Sequence, residues 1–170
     1  MRITDKFANI STDLLQIGLI RNKKYERYFC TPKNAVTFTC LGVDGIHFCI
    51  LPNKNDITLE NSPVYVVSPM MPDHYVEIVA ENFYAFISLV VSVKDAGALE
   101  CISYMDNESF SKYLKNIPQD TPEIKKAIIV LLESFSIKNI NDIYNYVKQL
   151  QEKTDLSKIK YTKEYYELIG

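Results

Sequence analysis

"VTFTCLGVDGIHFCIL", residues 36–51, decides the fold class of this 170-residue chain. Asp44-Gly45 stands between two runs rich in β-branched and aromatic residues. A type I′ hairpin turn needs positive φ at both central positions, and Asp-Gly tolerates it. The stretch therefore reads as two strands, Val36–Leu41 and Ile46–Leu51, joined by a two-residue loop. Counting back from that loop pairs Val43 with Ile46, Gly42 with His47, Leu41 with Phe48 and Cys40 with Cys49. Cys40 and Cys49 then fall at a non-hydrogen-bonded pair, where side chains touch. Leu41, Val43, Ile46, Phe48 and Ile50 share one side; Val36, Phe38, Cys40, Cys49 and Leu51 share the other. Both sides are apolar, so the hairpin belongs inside a sheet that is covered on both faces.

Two more strands follow. "VYVV", Val64–Val67, is a short continuous apolar run, and "YVEIVA", Tyr75–Ala80, alternates. Between them "SPMMPDH" is a loop, because Pro69 and Pro72 cannot donate to a ladder. Near residue 81 the period changes. Phe83, Phe86, Ile87 and Val90 make one helical face, with Asn82 as its N-cap. Gly97 is expected to interrupt, with Ala98–Met105 continuing as apolar helix. Phe110, Tyr113 and Leu114 mark a third helix ended by Pro118.

Thr121 and Pro122 open a fourth helix, whose stripe is Ile124, Ile128, Leu131, Leu132 and Phe135. A fifth turns Ile143, Val147 and Leu150 inward. From Thr154 the tail is polar and tyrosine-rich and is expected to fray. Upstream of the hairpin, Ser11 caps a short helix with Leu14, Leu15, Leu19 and Ile20 as its stripe, and "RNKKYERYFC" reads as a solvated connector.

The expected fold class is therefore α+β. An antiparallel sheet of about four or more strands, within residues 30–80, is packed by helices from the N-terminus and the C-terminal half. One domain fits the length: a helical segment over 1–30, a β-rich part over 30–80, helices over 81–153 and the tail over 154–170.

Charge and composition exclude several function classes. A formal net charge of −2 gives no bulk attraction to nucleic acid or to an anionic membrane, and favours a basic partner over an acidic one. The N-terminus carries Asp5, Lys6 and Asp13 and does not read as a signal peptide; no apolar run reaches the ~18–20 residues of a bilayer span. A cytoplasmic location is expected, with Cys30, Cys40, Cys49 and Cys101 as reduced thiols. Their spacings match no zinc pattern, and there are only two histidines, so no metal and no cofactor are expected. No nucleophile elbow and no glycine-rich phosphate loop is present, so no catalytic residue is named.

The order of elements carries one resemblance. A helical N-terminus leads into antiparallel strands with a "DGIHF" turn, then "SPVYVV", then "EIVAENFYAFISLVV", a strand running straight into an apolar helix. Over residues 30–95, and best from Val64 to Val91, the chain resembles the SUKH superfamily, relatives of a fungal cell-wall synthesis regulator. Many bacterial members are immunity proteins against secreted toxins. The resemblance implies an α+β fold, a protein partner and no chemistry.

A surface for a toxin-like basic partner would combine acidic side chains with exposed tyrosines, which suit fast and tight association. Asp44, Asp56, Glu60, Asp73, His74 and Tyr75 are the candidates, expected on one set of loops. Two other classes remain open. One is a regulatory or structural homodimer assembled through an apolar stripe after Thr121. The other is a small enzyme built around His47 and His74.

Overall fold

The computed structural model describes residues 3–10, 14–21, 27–52 and 58–170, with Ile3 and Thr4 in backbone only. Four strands form one antiparallel sheet in sequence order: β1 (Val36–Cys40), β2 (His47–Ile50), β3 (Val64–Val67) and β4 (Val76–Ala80). Seven α-helices accompany it among the described residues. These are α1 (Ile3–Ile10), α2 (Phe83–Val93), α3 (Ala96–Cys101), α4 (Asn107–Asn116), α5 (Pro122–Ser134), α6 (Ile143–Lys153) and α7 (Lys163–Ile169). The fold is α+β, as the pattern requires. No helix among the described residues is long and apolar enough to cross a membrane.

The hairpin is correct in kind and wrong in register. Asp44 and Gly45 both have positive φ, 50° and 70°, and Ile46 N–H donates to Val43 O at 3.0 Å. The ladder then skips Val43: Leu41 N–H donates to Ile46 O at 3.0 Å, with Gly42 at φ 79°. The loop is thus four residues, because a second positive-φ glycine lets the chain leave the ladder earlier. Cys40 faces His47, not Cys49.

A bulge between Thr37 and Thr39 shifts the register once more, so that Cys49 faces Thr37 and Val36 faces Ile50. Phe38, expected beside Cys49, joins the opposite core. The expected Cys40–Cys49 contact is therefore absent, and Cys30 shares the core around Cys49 instead. All four cysteines are free, and burial pushes the Cys49 thiol up to about 12 and Cys30 to about 11. A second bulge, opposite Val64 and Tyr65, sends both Val79 and Ala80 to one face.

β1 is an edge strand and not interior. Its edge is partly covered by Ile20, which exchanges backbone bonds with Cys40 at 3.0 and 2.9 Å. β4 is capped by α6, where Gln151 Nε2 donates to Ile78 O at 3.3 Å. β2 and β3 are buried along their whole length.

The larger core fills one face of the sheet. Phe83, Phe86, Ile87 and Val90 of α2 are fully buried there, beneath the phenyl rings of Phe7, Phe38 and Phe48. Asn82 caps α2, its side chain accepting from Ala85 N–H at 2.9 Å, and Thr121 caps α5, accepting from Ile124 N–H at 3.2 Å. The break after α2 falls at Lys94, which adopts φ 58°; Asp95 then caps α3, leaving Gly97 inside that helix. On α5, Leu132 points outward with Ile129, each half exposed, and Ala127 takes the inward place.

The N-terminal segment departs most. The helix precedes residue 11; Leu15–Ile17 form a 3₁₀ turn, and Leu15 is exposed while Leu14 and Leu19 are buried. Ser11 and residues 22–26 of the basic stretch lie outside the described residues. At the other terminus the tail is docked. Ile159 is buried, Lys33 N–H donates to Lys160 O at 2.7 Å, and Tyr161 and Tyr165 pack on the smaller core that covers the second face.

Candidate functional site

A four-strand meander puts the β1–β2 and β3–β4 turns at one end of the sheet and the β2–β3 connection at the other. That rule splits the candidates. Asp44 sits in the first turn; Asp73 and His74 lie in a 3₁₀ turn, Pro72–His74, on the second, with Tyr75 closing it. Glu60 lies in the 3₁₀ turn Leu59–Asn61 at the far end, so it does not share their surface. Asp56 lies outside the described residues.

The shared end is mixed apolar and acidic. Asp44 and Asp73 are exposed, and beside them Val43, Met70 and Tyr104 are exposed at 57%, 70% and 42%. The turn that carries Met70 is held by backbone bonds: Ser68 N–H to Tyr75 O at 2.9 Å, Met71 N–H to Ser68 O at 3.0 Å, and His74 N–H to Met71 O at 2.8 Å.

Beneath that end is a buried carboxyl, Glu100 of α3, 6% exposed. Ser68 Oγ donates to its Oε1 at 3.1 Å, and Tyr104 OH donates to its Oε2 at 3.1 Å. Burial raises its pKa above the usual 4.5, against those two hydrogen bonds; Asp44 raises it further and His74 lowers it. Asp44 and His74 of the two turns are thus both within electrostatic reach of one carboxyl. Glu100 interrupts the otherwise apolar run "AGALECISYM"; that lone acid was the legible signal, and the sequence reading passed over it.

The two histidines have separate partners. His47 Nδ1 lies 2.8 Å from Gly45 O and must donate, so Nε2 accepts from Thr31 Oγ1 at 3.1 Å. Its ring stacks on Tyr28, centroids 5.6 Å apart. Burial lowers its pKa from the usual 6.5, against the hydrogen bond to Gly45 O. His74 Nδ1 instead meets Glu77 Oε1 at 3.0 Å.

On the second face of the sheet, next to the β3–β4 turn, the docked tail encloses a cleft of about 360 Å³. Asp73, Tyr75 and Glu77 line one side; Tyr161, Tyr165 and Tyr166 line the other. Tyr161 and Tyr165 stack at 3.9 Å, while Tyr75 and Tyr166 stand at 81° and 90° to Tyr165. The tyrosine content of the tail was visible in sequence, and so was the four-residue spacing of Tyr161 and Tyr165. Reading the tail as frayed hid their role.

No protein-family model, curated protein or solved structure matches this chain.

The Glu100 cluster makes a pH prediction. Because its folded pKa is raised, the native state holds the proton to higher pH than the unfolded chain does. Its contribution is full below about 4.5 and is lost as pH rises through the folded value. Glu100→Gln keeps the shape and removes that loss. It is expected to be the more stable protein at neutral pH, with the two curves converging in acid. Urea unfolding at several pH values measures this, and parallel curves would refute the raised pKa.

Proposed function

We propose that this protein is a non-enzymatic protein-binding module that recognises a basic partner through the end of the sheet formed by the β1–β2 and β3–β4 turns. The observation that carries the reading is the gathering of Asp44, Asp73, Val43, Met70 and Tyr104 on that end around one buried carboxyl. Apolar anchors supply contact area there, and the exposed carboxylates supply steering and register. The rigid turns mean that little ordering entropy is lost on association.

An immunity role, neutralising a cognate secreted toxin by covering its active face, is the specific form of this reading. It rests on the resemblance to the SUKH superfamily. What supports it is the order of elements: a four-strand antiparallel meander whose last strand passes through Glu81 and Asn82 directly into the buried helix α2. A cytoplasmic setting belongs to the same proposal.

The test is affinity capture with the tagged protein from its native host, followed by kinetics on the recovered partner. A stoichiometric basic protein is expected. Asp44→Lys should slow its association by about tenfold at low salt, with the difference shrinking as salt rises. A partner that binds the variant at the wild-type rate at every salt concentration would sink the assignment of this end.

A further inference from the structure

We infer that the tyrosine-lined cleft beside the β3–β4 turn is a receptor for one arginine side chain of the partner. This deepens the protein-binding reading and rests on it for the partner's identity, but not for the binding chemistry. The cleft is bordered by two carboxylates, Asp73 and Glu77, and by four tyrosines, and among the described residues its lining holds no lysine, arginine or histidine. Carboxylates beside aromatic walls are the environment that attracts a cation.

The geometry favours a planar cation. Tyr161 and Tyr165 cover one another at 3.9 Å and 14°, leaving Tyr75 and Tyr166, both near perpendicular to Tyr165, as walls. A guanidinium stacks flat on such a ring and offers paired donors to a carboxylate, which an ammonium cannot do. Asp73 is exposed, while the Glu77 side chain is 14% exposed and is held in place by His74 through Oε1. One acid therefore stands at the mouth and one is fixed in the wall. At about 360 Å³ the cleft has room for an arginine side chain.

The floor is pre-formed. Tyr165 is held between Tyr161 and Phe29, and Phe29 also packs edge-on to Tyr75 at 5.2 Å. The floor and the Tyr75 wall are therefore held before a guest arrives, which lowers the ordering cost of binding.

The experiment is a ¹H–¹⁵N NMR titration of the full chain with capped Gly-Arg-Gly, and with its lysine and citrulline counterparts. Citrulline keeps the shape of arginine and lacks its charge. Arginine should shift the amides of Tyr75, Glu77, Tyr161, Tyr165 and Tyr166, and bind roughly tenfold more tightly than citrulline, with lysine between them. Asp73→Asn and Tyr166→Ala, both at exposed positions, should each weaken arginine binding several-fold while leaving the fold intact. Citrulline or lysine binding as tightly as arginine, or shifts scattered outside the cleft, would overturn the inference.

The two proposals fail separately. Arginine binding in the cleft together with unchanged partner kinetics for Asp44→Lys would remove the sheet-end interface and keep the receptor. A slowed Asp44→Lys with no arginine binding would do the reverse.

Discussion

Truncating Phe83 to alanine is expected to cost about 3–5 kcal/mol of folding stability. The ring is fully buried and stands where β4 hands over to α2, so its loss is felt by both layers. It packs edge-on against Phe7 at 5.9 Å, Phe38 at 5.5 Å and Phe135 at 5.5 Å. Those three come from α1, β1 and the end of α5, elements far apart in sequence. Edge-to-face pairs contribute beyond area alone, roughly 0.5–1.5 kcal/mol each, and interiors this dense relax poorly around a void. Set against the 5–15 kcal/mol that typically holds a domain together, the loss is a large fraction. The melting temperature should fall by roughly 10 °C, with an unchanged denaturant slope. Leu132→Ala is the control: half exposed on α5, it should change stability by no more than about 0.5 kcal/mol. A Phe83→Ala loss under about 1 kcal/mol would mean that the ring cluster closes over the cavity.

The elements that could be read from sequence were those whose signal is local. Asn82 followed by Phe83, Phe86, Ile87 and Val90 is a cap and a face, and both are found as expected. Thr121-Pro122 and the run Val64–Val67 are equally self-contained. Register was not legible, because it depends on residues that leave the ladder. Gly42 does so through its positive φ, and Phe38 and Val79 do so at bulges that turn them into the larger core. Leu14, Leu15, Leu19 and Ile20 looked like a stripe, but their spacing does not keep to one helical face, and a bridge to Cys40 takes Ile20 instead. That Asp44, Asp73, His74 and Tyr75 share one end of the sheet was accessible, because any antiparallel meander brings alternate turns to one end, and the same rule puts Glu60 at the other end. Glu100 and the tail tyrosines depend on which helix and which terminus fold back over that end, and no local pattern carries that information.

Gly45→Ala tests how the hairpin presents Asp44, and it is expected to cost about 2–3 kcal/mol. Two effects add. Gly45 holds φ 70°, and an L-residue forced there loses roughly 1–2 kcal/mol. A methyl group at this position would sit 2.6 Å from the Tyr28 ring, so the ring must move. Moving it gives up the stack on His47, worth roughly 0.5–1.5 kcal/mol.

The His47 network then supplies a second readout. Its pKa is lowered in the native state, so the unfolded chain protonates first as pH falls through 6.5, and the wild type loses stability there. If the displaced ring lets water reach His47, that pH slope becomes shallower in Gly45→Ala. Urea unfolding at neutral pH and at about pH 5 reads both quantities. A loss no larger than the roughly 1–2 kcal/mol of backbone strain, with an unchanged slope, would show that Tyr28 swings aside freely. A large loss with a flattened slope would show that the turn, the histidine and the Asp44 surface are held as one unit. Asp44 would then be displayed at a fixed angle, the condition under which a single exposed carboxylate can set the register of a partner.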